Sequence, residues 1–206
     1  EGFVDGVLQQ QALFNNPVEV VILNDLIYVS DLDNHAIRVI DVQNQIVQTI
    51  AGNGNPGFTD GVGNNAQLNS PAGIAVESDS TLLIADTQNH SIRRLNVNSA
   101  MLSTLAGDGT SGLINGPAGQ SRFNTPADLV VDSSGVIYVA DAANHAIRKI
   151  ENNLTTTFAG TGNAGDIDGD ANEAQFAFPV GIFLQSDNEI WIADYFNGSI
   201  RKIEIQ

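Results

Sequence analysis

Four aspartates recur along the chain at a near-constant interval, and each is followed three residues later by an asparagine. The aspartates are spaced by 55, 55 and 53 residues. Asx side chains accept hydrogen bonds from nearby main-chain N–H groups, so we favour a structural role in which each pair holds a turn together. The alternative is a ring of carboxylates that could hold a cation. The residues are Asp31, Asp86, Asp141, Asp194, Asn34, Asn89, Asn144 and Asn197.

The histidines of the chain, His35, His90 and His145, occupy one position of the same pattern, directly after the asparagine. Gly198 stands at this position in the fourth copy. Three histidines could form a catalytic zinc site, which takes three protein ligands within about 2.1 Å of the ion. Equivalent residues of separate copies meet only if all of them point to one centre. We therefore favour histidines that pack between copies and hydrogen-bond to the main chain.

Half of the eight cationic residues repeat as well, as Arg38, Arg93, Arg148 and Arg201. A guanidinium group suits two-pronged hydrogen bonding to a carboxylate. We predict that each arginine pairs with an Asp or Glu of its own or the neighbouring copy. An anion-binding ring is the alternative.

The connection between the third and fourth copies carries Asp166, Asp168 and Asp170. Alternating aspartates supply oxygen ligands suited to Ca²⁺ and resemble the start of a calcium-binding loop. Ala171 and Ala177 stand where such a loop has glycine and glutamate. The sequence thus favours a solvated acidic loop, with a calcium site at these three aspartates as the alternative, and no cofactor is required.

Nothing in the sequence pairs a nucleophile with a base. The chain has no cysteine, no Gly-x-Ser-x-Gly segment and no unique serine–histidine pair. Its glycine-rich connections lack the lysine and the following helix of a phosphate-binding loop. We therefore predict no catalytic residue and no cofactor-binding residue.

The fourth copy departs from the others at Tyr195 and Phe196, which replace the Leu-Asp, Thr-Gln and Ala-Ala pairs of the other turns. Side chains of this turn should face solvent. Two exposed aromatic residues predict a contact patch for a protein partner.

The composition excludes several classes of protein. The 206 residues include 8 Lys and Arg against 24 Asp and Glu, a net charge of −16. Such an acidic chain repels phosphate backbones, so nucleic-acid binding is not expected. The longest apolar run is far shorter than the roughly 20 residues of a membrane-spanning helix, so membrane insertion is not expected. With 42% hydrophobic residues the chain can still build a core.

Short β-branched runs with an apolar period of two predict strands around the repeated residues. In the third copy the predicted strands are 127–131, 136–140, 146–150 and 155–159. Four antiparallel strands in each copy, with long connections between copies, predict an all-β β-propeller. We place its four blades at about 17–52, 71–107, 126–160 and 179–206, in one domain over residues 1–206.

The repeated phrases resemble the long-spacer, bacterial-type form of the NHL repeat. The motifs are Gly-Phe-x-Asp-Gly, Ala-x-Phe/Leu-x-x-Pro, Gly-Ile-Ala-Val, Ala-Asp-x-x-Asn-His-x-Ile-Arg and Thr-x-Ala-Gly, and they cover the whole chain. The resemblance implies a β-propeller that presents a face to a partner. It also implies that a minority of such propellers are metal-dependent lyases or hydrolases.

The fourth copy ends after its third strand, which predicts an incomplete last blade with an open strand edge. Residues 4–16 match a connection of the other copies rather than a replacement strand. Unpaired strand edges promote association. Three explanations are open: a longer natural protein, pairing of the edge with another chain into a closed dimer or a filament, and four blades that close with a three-stranded last one.

Together these features predict a non-catalytic binding or assembly module that is secreted or lies at the cell surface. Its partners would be other proteins, or copies of itself, at the open edge of the last blade. The rival hypothesis is a metal-dependent lyase or lactone hydrolase with a divalent ion in the central channel. A calcium-stabilised adhesin is the third hypothesis.

Overall fold

The computed structural model describes residues 1–205, which form an all-β fold of four propeller blades with an incomplete last blade. Helices in this part of the chain are 3-10 turns of three residues, and none is long and apolar enough to cross a bilayer. The chain divides into two compact units, one from Glu1 to Thr104 and one that begins at Leu105. The fourth predicted copy runs to Gln206, which lies outside the described residues.

The strands form four antiparallel sheets, one for each copy of the repeat. Blade 1 consists of β1 (Gly6–Val7), β2 (Pro17–Leu23), β3 (Leu26–Asp31), β4 (Ala36–Asp41) and β5 (Ile46–Ala51). Blade 2 consists of β6 (Gly61–Val62), β7 (Pro71–Ser78), β8 (Thr81–Asp86), β9 (Ser91–Asn96) and β10 (Met101–Ala106). Blade 3 consists of β11 (Gly116–Pro117), β12 (Pro126–Val131), β13 (Ile137–Asp141), β14 (Ala146–Glu151) and β15 (Leu154–Ala159). Blade 4 consists of β16 (Pro179–Ser186), β17 (Glu189–Asp194) and β18 (Ser199–Glu204).

The predicted strands of the third copy are confirmed to within one residue at each end. Each of the first three sheets also has a fifth strand of two residues that the sequence analysis did not predict. This strand comes from the connection that precedes the blade and pairs with the blade's fourth strand, as β11 does with β15. Two residues are too few to show an apolar period, so the pattern of the sequence could not reveal them.

The strands form because short apolar and β-branched runs can be buried on the faces of a sheet. In the second unit all five residues of β13 are buried. Tyr138 on this strand packs edge-to-face on Phe158, with ring centroids 4.9 Å apart. In the first unit Tyr28, Ile37 and Ile84 belong to one buried cluster. Each unit therefore has a core of its own.

The connections between blades are folded segments that repeat from blade to blade. An isolated antiparallel bridge closes each of them, such as Val4 with Leu13 and Ile114 with Arg122. Residues 4–16 therefore adopt the same kind of connection as the later copies, as the sequence predicts. This folding brings a main-chain carbonyl of each connection, such as that of Val4 or Ile114, to the repeated arginine of its blade.

Candidate strand-binding site

Each blade contains a buried cluster built on the repeated aspartate, asparagine and arginine. In blade 3, Arg148 Nη1 donates to Asp141 Oδ2 at 2.8 Å, and Asn144 Nδ2 donates to the same oxygen at 2.7 Å. The other carboxylate oxygen accepts from the main-chain N–H of Asn124 at 2.7 Å. The carboxylate therefore links, through hydrogen bonds, the turn after β13, strand β14 and the connection that leads into β12.

The same contacts recur in the other blades. The arginine–aspartate distances are 2.7, 2.6 and 3.0 Å in blades 1, 2 and 4. All four aspartates are fully buried. Charges are tolerated away from water only when they are paired and hydrogen-bonded, and here protein donors occupy the carboxylates.

Burial also changes the acidity of two of these carboxyls. It raises the pKa of Asp86 and of Asp141 to about 6, although the neighbouring arginine and the hydrogen bonds favour the charged form. Desolvation destabilises a carboxylate more than a carboxylic acid, which explains the direction of the shift.

Aromatic rings cover the guanidinium groups. The guanidinium carbon of Arg148 lies 5.1 Å from the ring centroid of Phe123, and that of Arg201 lies 5.1 Å from the ring centroid of Phe176. In blade 1 the corresponding distances from Arg38 to Phe3 and Phe14 are 5.2 and 4.9 Å. Cation–π attraction adds to the ion pair at these distances, and the rings keep water away from it.

In blades 1 to 3 the second arm of the arginine contacts a side chain that also accepts a hydrogen bond from the fourth strand of the blade. In blade 1, Arg38 Nη2 and the Thr49 hydroxyl both donate to Asp5 Oδ1, each at 2.8 Å. In blade 3, Asn115 Oδ1 accepts from the Thr157 hydroxyl at 3.3 Å. The fourth strand is thus fastened by a side-chain contact as well as by its ladder of main-chain hydrogen bonds.

Sequence reasoning missed this second contact. It quoted the motifs Gly-Phe-x-Asp-Gly and Thr-x-Ala-Gly but assigned no role to their aspartate and threonine. The aspartate of the first motif and the threonine of the second are the same number of residues apart in blades 1 and 2, and this constant spacing was the signal that could have revealed the contact. The residues are Asp5, Asp60, Thr49 and Thr104.

Two of the histidines lie between neighbouring blades. His35 Nδ1 accepts a hydrogen bond from the main-chain N–H of Ser70, and His145 Nδ1 accepts one from that of Phe178, both at 3.0 Å. All three histidines have a left-handed backbone, with φ of 50° to 52°. Gly198 has the same conformation in blade 4, with φ of 61°, which explains why glycine can replace histidine there.

Within residues 1–205, blade 4 has the same buried cluster but three strands. Arg201 Nη2 donates to Asp168, and Arg201 Nη1 lies 3.5 Å from Asp166. The Asp168 side chain is 93% exposed, because no threonine of a fourth strand covers it in the described chain. Arg201 is 10% exposed, whereas Arg148 is fully buried.

A cleft of about 900 Å³ lies beside β18, where blades 1 to 3 have their fourth strand. Residues 200–204 of β18 form one wall, and residues 168–172 form the opposite wall. Phe158 and Phe176 are among the apolar residues that line it. The cleft is therefore bounded by one strand edge, one segment of connection and an apolar surface.

One apolar residue on the wall of this cleft is strongly exposed. Ile200 is 67% exposed, whereas the equivalent Ile37, Ile92 and Ile147 are completely buried. In blades 1 and 3 this isoleucine lies opposite Ala51 and Ala159 of the fourth strand. Ile200 thus occupies a position that the fourth strand covers in blades 1 and 3 and that lies at the sheet edge of blade 4 in the described part of the chain.

The opposite wall also presents a main-chain hydrogen-bonding group. In blade 3 the N–H of Ala118 donates to Asn153 O at 2.9 Å, just before the fourth strand begins. Ala171 stands at the equivalent position of the repeat, and its N–H has no main-chain acceptor among residues 1–205. A strand that enters the cleft can therefore form hydrogen bonds on both of its sides.

The predicted contact patch also lies on blade 4. Tyr195 and Phe196 are 63% and 68% exposed. The ring of Phe196 lies 5.2 Å from that of Tyr195 and 5.1 Å from that of Phe178. Phe178 has φ of 61°, an uncommon conformation for a large side chain. The three rings form a continuous aromatic surface, which we call the aromatic cluster.

The acidic loop faces the arginine of blade 4. Two of its predicted calcium ligands, Asp166 and Asp168, form ion pairs with Arg201, and Asp170 lines the cleft. Among the described residues, no group of three His, Cys, Asp or Glu side chains is arranged to hold a metal ion. Calcium binding stays a prediction for this loop.

The part of the chain that matches a protein family includes the buried cluster of blade 3. The family model described as NHL repeat matches residues 123–150, which include the ion pair of Asp141 with Arg148. The chain is built from NHL repeats. This NHL-repeat chain is 29% identical to human NHL repeat-containing protein 2, over 99% of the chain and 32% of that protein.

Further similarities agree with this family. The NHL-repeat chain is 32% identical to Protein SUPPRESSOR OF QUENCHING 1, chloroplastic, of Arabidopsis thaliana, over 100% of the chain and 26% of that protein. It thus spans a third or less of the length of these curated relatives. An auxiliary nutrient binding protein from Bacteroides thetaiotaomicron shares the fold, with a TM-score of 0.67 and 22% identity over 86% of this chain and 44% of that structure.

Proposed function

We propose that this NHL-repeat chain is a non-catalytic binding module that holds an extended segment of a protein partner in the cleft of blade 4. The observation that supports the proposal is the cleft between β18 and residues 168–172, with an apolar lining and with Ile200 two-thirds exposed on the β18 wall. Addition of a strand to an exposed sheet edge is a common mode of peptide recognition, because the main-chain hydrogen bonds supply affinity.

The aromatic cluster is a second contact surface for the same partner. Exposed aromatic side chains contribute strongly to protein interfaces, because they bury a large apolar area at a small entropic cost. Tyr195, Phe196 and Phe178 lie on the same blade as the cleft. A partner anchored by its strand could therefore extend over them.

We also propose an extracellular or cell-surface location. The chain has 8 Lys and Arg against 24 Asp and Glu, and many of its connections consist of Asn, Gly, Thr and Ser. Surface labelling of intact cells that express the natural protein tests this location. Labelling only after the cells are lysed would contradict it.

Amide hydrogen exchange on the whole 206-residue chain tests the binding mode. The probe is a peptide with the sequence of residues 154–160, Leu-Thr-Thr-Thr-Phe-Ala-Gly. We expect the peptide to slow exchange in β18 and to leave β2 of blade 1 unchanged. Unchanged exchange in β18 at millimolar peptide would contradict the proposal.

A matched pair of variants locates the peptide. Ile200→Lys places a charge in the cleft, whereas Ile22→Lys alters a similarly exposed isoleucine of β2. We expect the first variant to lose peptide binding and the second to retain it. Equal loss in both variants would show that the peptide binds apolar surface without selectivity.

A further inference from the structure

The turn that carries the aromatic cluster is exposed in other blades as well. Asp33 and Gln88 stand at the repeat position of Phe196, and both are exposed. Blades 1 and 2, to which they belong, are each followed by a further blade. The exposure of Phe196 is therefore a property of this turn of the repeat, and blade 4 differs in placing an aromatic ring there.

Phe178 places a further ring of this cluster on an unfavourable backbone. Its φ is 61°, and the equivalent Asn16, Ser70 and Thr125 have φ of 52° to 57°. Asparagine tolerates this left-handed region, whereas a bulky side chain is strained there. Phe178 is half-buried and its ring lies against the exposed ring of Phe196, so core packing does not explain the strain. Strained residues are concentrated at functional sites, which favours a binding role for the cluster.

The chain around the aromatic cluster is anionic. Residues 151–200 contain no Lys, Arg or His, and the connection that leads into β16 carries acidic residues at 166, 168, 170 and 173. This connection is hydrogen-bonded to the aromatic turn at both of its ends. Asn197 Nδ2 donates to Gly165 O at 2.7 Å, and the N–H of Phe196 donates to Ala177 O at 2.9 Å. A cationic group is therefore the charge complement of this surface.

The blades themselves show which cation this chemistry suits. The guanidinium carbon of each repeated arginine lies 4.9 to 5.2 Å from a phenylalanine ring, and each guanidinium group also contacts an aspartate. Exposed rings with carboxylates on the adjoining connection offer the same two kinds of partner at the surface. Resting on the proposed function for the presence of a protein partner, we infer that the aromatic cluster binds an arginine side chain of that partner.

A second copy of the chain is a less suitable source of this arginine. Every Lys and Arg of the chain already forms an ion pair with Asp or Glu. The partly exposed Arg94 and Arg122 are among them, paired with Glu77 and Asp108. Transfer of either arginine to the cluster of another copy would break such a pair. The arginine therefore belongs to a different protein.

Titration of the whole chain with a Gly-Arg repeat peptide tests the inference. Two control peptides of the same length carry lysine or citrulline, the neutral analogue of arginine, in place of arginine. We expect the arginine peptide to bind most tightly, because a guanidinium group stacks on aromatic rings better than an ammonium group and citrulline has no charge. Equal binding of the citrulline peptide would overturn the role of charge. Equal binding of the lysine peptide would overturn the assignment to arginine.

A matched pair of variants locates the arginine peptide. Phe196→Gln introduces the residue that blade 2 has at this position, and Phe183→Gln removes another exposed aromatic residue of blade 4. Neither variant changes the net charge, so general attraction to the acidic chain is the same in both. We expect about fivefold weaker binding in Phe196→Gln and no change in Phe183→Gln. Equal affinities of the two variants would overturn the location.

Phe178→Asn separates binding from folding. It removes one ring and introduces the residue that blade 1 has at this position, which tolerates the same φ. We expect weaker binding of the arginine peptide, with a circular dichroism spectrum like that of the unsubstituted chain. Unchanged binding in this variant would overturn the participation of Phe178.

Two different probes distinguish this inference from strand binding in the cleft. If the arginine peptide does not bind while the peptide of residues 154–160 protects β18, the inference is wrong and the proposed function stands. If the arginine peptide binds at the cluster while β18 stays unprotected, strand binding fails and the cluster remains a binding surface. A dimer that is lost in Phe196→Gln and retained in Phe183→Gln would make a second copy the occupant and would overturn the inference.

Discussion

Blades 3 and 4 belong to one compact unit and share the same buried ion pair, but they differ in what surrounds it. In blade 3 the fourth strand covers the outer side of β14, so Arg148 and Ile147 are fully buried. In blade 4, β18 is the edge of the sheet, and Arg201 and Ile200 are exposed to different degrees. Equivalent residues are thus core in one blade and partly exposed in the other.

Replacement of the arginine should give the largest difference in unfolding free energy between variants of the two blades. We expect Arg148→Met to destabilise the chain by about 3–5 kcal/mol, because the fully buried Asp141 loses its charge partner. Arg201→Met should cost clearly less, because Arg201 is partly reached by water. Urea unfolding of both variants checks the order. Equal losses would show that exposure at the edge does not weaken the pair.

Truncation of the equivalent isoleucines gives the next contrast. Ile147→Ala should cost about 2–5 kcal/mol, since it leaves a cavity beneath the fourth strand. Ile200→Ala should change the free energy of unfolding by less than about 1 kcal/mol, because the side chain is two-thirds exposed. The same urea experiment measures both values. A large loss in Ile200→Ala would mean that Ile200 is covered in solution.

Substitution of a glycine in each blade, Gly160 after β15 and Gly198 before β18, should change stability by a smaller amount. Gly160→Ala should cost about 1–3 kcal/mol, because the new Cβ would collide with the main chain at His145 and Ala146. Gly198→Ala has no atom within 4 Å of its added Cβ and meets only the strain of φ at 61°, about 1 kcal/mol. Thermal unfolding ranks the two. A reversed order would contradict the close approach at Gly160.

The buried aspartates predict a modest dependence on pH. Burial raises the pKa of Asp86 and Asp141 to about 6, above the 3.8 of an exposed aspartate. The folded chain therefore takes up these protons before the unfolded chain does. Each carboxyl should add about 1 kcal/mol of stability as the pH falls from 7 to 5. His90 acts in the opposite direction, because burial lowers its pKa.

Site-resolved titration avoids this cancellation. In a carboxyl ¹³C NMR titration, Asp86 and Asp141 should titrate near pH 6. Asp187 serves as the control, since hydrogen bonds from Ser133 lower its pKa below 3.8. Titration of all three carboxyls near pH 4 would show that water reaches the buried pairs.

Much of the fold could be predicted from the sequence alone. The regular spacing of Asp141 and its equivalents, with apolar alternation around them, was sufficient to predict four blades, their strands and an incomplete last blade. These features are local and repeat, so each copy confirms the others. The two-residue strands β1, β6 and β11 escaped prediction because their partners lie about 40 residues away.

The candidate site depends on tertiary structure. The sequence places Asp168, Ile200 and Ala171 in three unrelated stretches, and only the folded connection brings them to one cleft. Nothing in the sequence indicated that Asp168 would contact Arg201, because this contact forms only when the connection folds back on the third strand of its blade. The sequence alone determined which residues repeat. The tertiary structure decided which of them are buried and which remain exposed, because burial depends on the strand that packs against them.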